Sequence, residues 1–309
     1  MPKANGLFRQ IRNNKDVYLM LFPSVLFLAV FALYPIFWAF RYMFYDYDGF
    51  HQRFIGVENF IRLFCRDVDF WHSVLNTLIY AGGKILISIP LALLLAIILN
   101  NKLKGRHFFR VTFFLPTITS TAVMSLIFYL LFNTYNGIVN QLLLQSGLIG
   151  KPIEWLGMHY AMLTAIIVAI WGAIGNNMIL FLAGLQSVPA ELYESASIDG
   201  ANNFQKHIYI TIPMISSISQ LVVMLAIIYG LNGYESILVL TGGGPNDATN
   251  VMYLYIYKKL FYMSESGVSY DLLQLGYGSA VAFVSSIIVG CITVFYLLWS
   301  KKSAGRVTL

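Results

Sequence analysis

The chain has 309 residues, 58% of them hydrophobic and only 11% charged, with a formal net charge of +6. That balance excludes an ordinary soluble domain and points to a polypeptide immersed in lipid. Two cysteines, Cys65 and Cys291, cannot make a disulfide framework, and the scattered histidines give no pair at metal-ligand spacing.

Residues 1–16 carry Lys3, Arg9, Arg12 and Lys15 and read as a short basic helix. The apolar run behind them is too long for a signal-peptide core and shows no small-residue cleavage site, so no cleaved leader is expected. Six apolar stretches follow, at about 17–40, 74–99, 111–132, 160–182, 213–231 and 278–299. Each approaches or exceeds the roughly 20 residues a helix needs to cross the hydrocarbon core. Pro35 is placed to kink the first. Residues 41–73 have mixed helical and polar character, and Trp71 suits an interfacial anchor for the second span. Lys84 is the single formal charge inside a span. A charge at mid-bilayer costs at least about 2.5 kcal/mol, so Lys84 either snorkels to the outer interface or faces a cavity.

Residues 100–110 form a basic turn, and residues 133–159 connect spans three and four. Thr117, Thr119, Ser120 and Thr121 cluster in the third span, and Trp171, Asn176 and Asn177 lie in the fourth. Tyr229, Asn232, Tyr234 and Glu235 close the fifth on the outer side. Hydroxyls, amides and aromatic faces of this kind suit a sugar, so Thr119, Ser120, Trp171, Tyr229, Asn232, Tyr234 and Glu235 are candidate lining of a solute path. Ordinary polar packing between helices is the competing reading. It is preferred for Asn176 and Asn177, which lie toward the inner end and suit gating or packing. Cys291 falls deep in the sixth span and reads as a buried free thiol.

Between spans four and five lies a polar stretch, residues 187–213, that reads as helix, glycine break, helix. Ser187 is placed to cap the first helix and Pro189 suits its first turn. Glu191 and Glu194 stand toward the positive helix end. Gly200 suits the left-handed residue that ends it. The product is an exposed knob with few cations, better suited to a protein cleft than to lipid.

Charge placement gives an orientation. With the N-terminus inside, twelve Lys/Arg fall in inner segments and seven in outer ones, for net charges of +8 and −3. The positive-inside rule then puts both termini and residues 183–207 in the cytoplasm and residues 232–277 outside. This asymmetry accounts for the overall +6 without nucleic acid.

Glu191-Leu192-Tyr193-Glu194-Ser195-Ala196, Asp199-Gly200-Ala201, Phe204 and Ile210-Thr211-Ile212-Pro213 closely resemble the EAA loop of ABC importer permeases of the binding-protein-dependent sugar type. Two departures stand out: Ser195 replaces an alanine, and His207 stands where phenylalanine is usual. Residues 54–60, 70–78 and 114–116 also resemble that family. Leu240-Thr241-Gly242-Gly243-Gly244-Pro245 with Tyr253-Leu254-Tyr255-Ile256-Tyr257 resembles its first, maltose-type permease subunit, with Glu235 where aspartate is usual.

The resemblance implies an all-α integral membrane protein with six transmembrane helices and the type I importer permease fold. One permease domain would cover 1–309, with the transport core at about 71–300 and span one wrapped on a neighbour. Glu191, Glu194, Ala196, Asp199, Gly200, Ala201 and Phe204 would form the ATPase contact. Implied partners are a second, similar permease, two ATPase subunits using ATP and Mg, membrane lipids, and an extracellular or lipid-anchored solute-binding protein. The implied setting is a bacterial cell (inner) membrane. The solute would be a carbohydrate, first an oligosaccharide, then a monosaccharide or a glycerol phosphodiester.

The chain has no G-x-x-x-x-G-K-[ST] phosphate loop, so it is expected to bind no nucleotide or other cofactor and to be no enzyme. A secondary transporter would need carboxylates within its spans, and an intramembrane enzyme a catalytic pair at membrane depth. The predicted spans hold neither.

Overall fold

A computed structural model describes residues 14–101, 103–261 and 273–304. The basic segment 1–13, Lys102, residues 262–272 of the outer excursion and residues 305–309 lie outside the described residues.

The described chain is mostly helical. The first span joins α1 (Lys15–Leu28), a π-helical turn over Ala29–Leu33, and α2 (Tyr34–Tyr42). A hairpin of β1 (Tyr45–Tyr47) and β2 (Gln52–Phe54) and the short α3 (Glu58–Cys65) lead to the second span, α4 (Val68–Asn100). The third span is a bent pair, α5 (Arg106–Ile118) and α6 (Thr121–Leu131). After α7 (Ile138–Gln145) comes the fourth span, α8 (Ala161–Gln186), then α9 (Ala190–Ile198) and α10 (Asn203–Lys206). A second π-helical turn, His207–Thr211, feeds α11 (Ile212–Met214) and α12 (Ser216–Leu231) of the fifth span. The chain continues through α13 (Glu235–Leu240) and α14 (Met252–Leu260) to the sixth span, α15 (Leu275–Ala304). Among the described residues four helices are long and apolar enough to cross a membrane alone, and the number reaches six when each bent pair is taken as one span.

Both π turns have the same local cause. Each ends two residues before a proline, Pro35 or Pro213. A proline has no N–H for the carbonyl four residues back, and its ring crowds that carbonyl. In both places the residue before the proline instead donates five residues back: Tyr34 to the Ala29 carbonyl, and Ile212 to that of His207. Pro35 therefore widens span one at Ala29–Leu33.

Contacts group residues 67–258 with 284–309 in one compact unit, and 1–66 with 259–283 in another. In the first unit α4 packs most extensively on α8. Ala92 and Ala96 are fully buried in a cluster with Met178, Phe181, Ile215 and Val222. In lipid, helices gain little from hydrophobicity, so small residues that allow close approach decide where they meet. Gly175 is the sharpest case: a Cβ there would stand 2.4 Å from the Phe113 carbonyl oxygen of α5. A second cluster gathers Tyr80, Met124, Ile166, Ile170, Ile237 and Leu254.

In the other unit α1 and α2 bury no side chain. The Asn59 amide donates to the carbonyls of Met43 and Tyr45, both at 3.0 Å, which holds α3 under the hairpin. The hairpin itself escapes sequence reading because its strands are three residues long. Its Asp48 carboxylate accepts from the Phe50 and His51 N–H groups at 2.8 and 2.6 Å. These two backbone donors hold its pKa down at about 2. Cys291 is exposed on α15, not buried as its depth in the span suggested.

Candidate functional site: a polar cavity at mid-span and an exposed helix pair

The third span breaks where its hydroxyls cluster. Thr119 and Ser120 adopt extended backbone (ψ 137 and 132), and α5 meets α6 at 99°. Apolar composition runs straight through this point, so hydropathy reads one span. A break inside a span leaves backbone groups at both helix ends without helical partners, which is tolerable only against protein or a cavity. Here it borders a cavity of about 380 Å³.

Its walls come from four spans, the second to the fifth, and from the start of α13. Tyr80 and Lys84 project from α4, Thr117, Thr119 and Thr121 from the break, and Asn176 and Asn177 from α8. Tyr229, Asn232, Tyr234 and Glu235 line it from α12 to the start of α13, with Ser236 beside them. The Tyr80 hydroxyl lies 3.0 Å from Ser236 Oγ. Asn232 Oδ1 is buried without a hydrogen-bond partner. Glu235 is exposed, and Tyr229 is 61% exposed.

Five of the seven candidate path residues thus share one cavity: Thr119, Tyr229, Asn232, Tyr234 and Glu235. Ser120 and Trp171 do not line it. Ser120 is exposed at the turn itself. Trp171 precedes Gly172, and one helical step of about 100° carries its side chain to another face. There it lines a separate apolar groove with Ile87, Leu91 and Ile174 and meets the Phe128 ring edge-on at 6.4 Å. Asn176 and Asn177, read as gating or packing residues, are cavity wall. Tyr80 and Ser236 escaped notice, although Tyr80 lies one helical turn before Lys84. Lys84 lines the cavity from the middle of α4, which begins at Val68, six residues earlier than hydropathy suggests.

The 187–213 stretch forms an exposed helix pair. Its nine-residue α9 ends in a turn where Gly200 has φ +80. Gly200 N–H donates to the Ser197 carbonyl at 3.2 Å, and Ala201 N–H to the Ala196 carbonyl at 2.9 Å. This is the Schellman arrangement, which satisfies two terminal carbonyls and requires a left-handed residue at the glycine. Asp199 is the C-cap. Asn202 then starts α10 with a capping box: its side chain accepts from Gln205 N–H, and Gln205 accepts from Asn202 N–H, both at 2.9 Å.

Two side-chain links brace the pair. The Tyr193 hydroxyl lies 2.9 Å from Thr211 Oγ1, with His207 Nδ1 3.1 Å from the same oxygen. Lys206 Nζ donates to Ser197 Oγ at 2.6 Å. His207 is thus accommodated by a hydrogen bond that phenylalanine could not make. Two sequence expectations fail here. Ser187 does not cap α9; its hydroxyl donates to the Gly184 carbonyl at 2.7 Å, and Pro189 is the N-cap. Glu194 sits at the middle of α9, and only Glu191 is in its first turn.

Glu191, Glu194, Asp199, Gly200 and Phe204 are exposed, and Ala196 and Ala201 are half-buried. Ile198 and Phe204 expose 87% and 72% of their surface, and Tyr209 exposes 75%. Neither glutamate has an ion-pair partner among the described residues. No group of three or more His, Cys, Asp or Glu among the described residues is arranged to hold a metal ion.

Comparison with known proteins agrees with this architecture. The chain is 33% identical to a probable ABC transporter permease protein, YurN of Bacillus subtilis, over 94% of its length and 98% of that protein. It is 35% identical to the arabinooligosaccharides transport system permease protein AraP of Bacillus subtilis, covering 94% of this chain and 90% of the relative. It superposes on a solved bacterial ABC transporter involved in the import of the acidic polysaccharide alginate with a TM-score of 0.81 and 26% identity. That match covers 96% of this chain and 98% of the other. These relatives are membrane transport components, not enzymes. Residues 88–302 match the family model of binding-protein-dependent transport system inner membrane components, and this multi-pass membrane protein belongs to that family of ABC importer permeases.

Proposed function

We propose that the chain is one transmembrane half of an ATP-driven importer of oligosaccharides. The exposed helix pair at 187–213 carries this reading. Its turn geometry, its unpaired glutamates and its projecting Ile198 and Phe204 make a rigid knob suited to a cleft in an ATPase subunit. Glu191, Glu194, Ala196, Asp199, Gly200, Ala201 and Phe204 form that contact. The energy comes from partner subunits, because this chain has no phosphate loop. ATP and Mg therefore belong to two partner ATPases. A second, similar permease completes the path, and an extracellular or lipid-anchored binding protein delivers the solute.

The cavity supports the solute class. Threonine hydroxyls, asparagine amides and tyrosine rings offer the hydrogen bonds and apolar faces that sugars need. A permease relative named for arabino-oligosaccharides and a structural neighbour named for a polysaccharide favour an oligosaccharide. The charge asymmetry favours a cell membrane with both termini in the cytoplasm.

The test is uptake by proteoliposomes containing the chain, its second permease, ATPase and binding protein. ATP-dependent accumulation of labelled oligosaccharide is expected. Accumulation driven by an ion gradient without the ATPase would refute the assignment.

A further inference from the structure

Lys84 is unexplained by the proposed path. It stands sixteen residues from each end of α4, about 24 Å along the helix. The residue is half-buried and lines the cavity. Among the described residues it has no hydrogen bond and no ion pair. Among the described residues it is the only cation on the cavity wall, and the only carboxylate there, Glu235, is exposed at the start of α13 and makes no ion pair with it.

An uncompensated ammonium at this depth is unfavourable by itself. Its other cavity neighbours are neutral: Tyr80 one turn away, then Thr117, Asn176 and Asn232. A neutral sugar would offer hydroxyls but leave the charge uncompensated. A carboxylate would neutralise it and accept its protons in a charge-assisted hydrogen bond. Orphan acceptor Asn232 Oδ1 is available to the hydroxyls of the same ligand.

We propose that the transported carbohydrate is acidic, and that a carboxylate of a uronic-acid unit pairs with the Lys84 ammonium in the cavity. The inference rests on the oligosaccharide-importer reading.

The experiment measures ATP-dependent uptake of a labelled uronic-acid trisaccharide and of labelled neutral arabinotriose by the complete reconstituted importer. The wild type, Lys84→Gln and Lys84→Arg are compared at equal amounts of assembled complex. The uronate should accumulate in the wild type. Lys84→Gln should reduce its uptake on the order of tenfold, and Lys84→Arg should retain most of it. Uptake of arabinotriose alone, or uronate uptake indifferent to Lys84→Gln, would overturn the acidic-ligand inference and leave the carbohydrate reading intact. Failure to take up either sugar, with ATPase activity present, would overturn both.

Discussion

Replacing Gly200 by valine isolates the geometry of the knob from its chemistry. A Cβ at this position would meet nothing within 4 Å, so the change creates no collision. The penalty is conformational. Gly200 has φ +80, and a left-handed backbone costs an L-residue about 1–2 kcal/mol. Valine's branched Cβ puts it at the unfavourable end of that range. Such a cost shifts a local equilibrium by roughly 5- to 30-fold. The Schellman pair would open, and α10 would leave its position relative to α9. Asparagine tolerates the left-handed region, so Gly200→Asn should retain most function and Gly200→Ala should fall between. Membrane levels should be unchanged, because the turn is outside the spans. The assay is co-purification of the ATPase subunit together with labelled oligosaccharide uptake. Full ATPase retention and uptake in Gly200→Val would show that residues 187–213 are not the docking element. Equal loss in Gly200→Asn and Gly200→Val would show that left-handed geometry is not what matters.

Gly175→Leu should prevent α5 from approaching α8, since even a Cβ would stand 2.4 Å from the Phe113 carbonyl oxygen; a lowered melting temperature and lost uptake are expected, and a wild-type melting temperature would contradict the packing. Single cysteines at Ser197 and Asn246, in a background lacking Cys65 and Cys291, should label from opposite sides of the membrane. An impermeant reagent on intact cells should reach 246 and not 197, and the reverse would invert the topology. Asp48 should titrate at about 2, below the usual 3.8, because the Phe50 and His51 N–H groups stabilise its charged form. Its contribution to the hairpin is present above the usual value and lost as pH falls through about 2; a carboxyl NMR titration centred at the usual value would contradict the turn.

Hydropathy located all six spans because lipid immersion demands long apolar runs regardless of packing. It was blind to the breaks at Thr119–Ser120 and Ile215, because Phe114, Leu115 and Ile118, and then Ile212 and Met214, keep the composition apolar through the bends. The ends of α4 were misjudged for the converse reason: Val68–Ser73 is helical but polar enough to resemble a loop. Gly200 was legible because a helix end followed by glycine has one common geometry. The capping box at Asn202 is hard to read from sequence because the helix it opens is only four residues long and begins close behind the Gly200 break. Trp171 was grouped with the path residues by proximity in sequence, and a single step around α8 separates it from the cavity.

The break between α5 and α6 divides labour between main chain and side chains. The opening at Thr119–Ser120 exists because the backbone turns there, not because of which hydroxyls stand beside it. Wall positions such as Thr121, Asn176 and Tyr229 are therefore free to drift without dismantling the space they surround. A scaffold of this kind changes cargo cheaply. In the proposed importer, duplicated copies of such a chain would diverge in what they carry by a few exchanges around a constant bend, while the helix pair at 187–213 would fit the same motor.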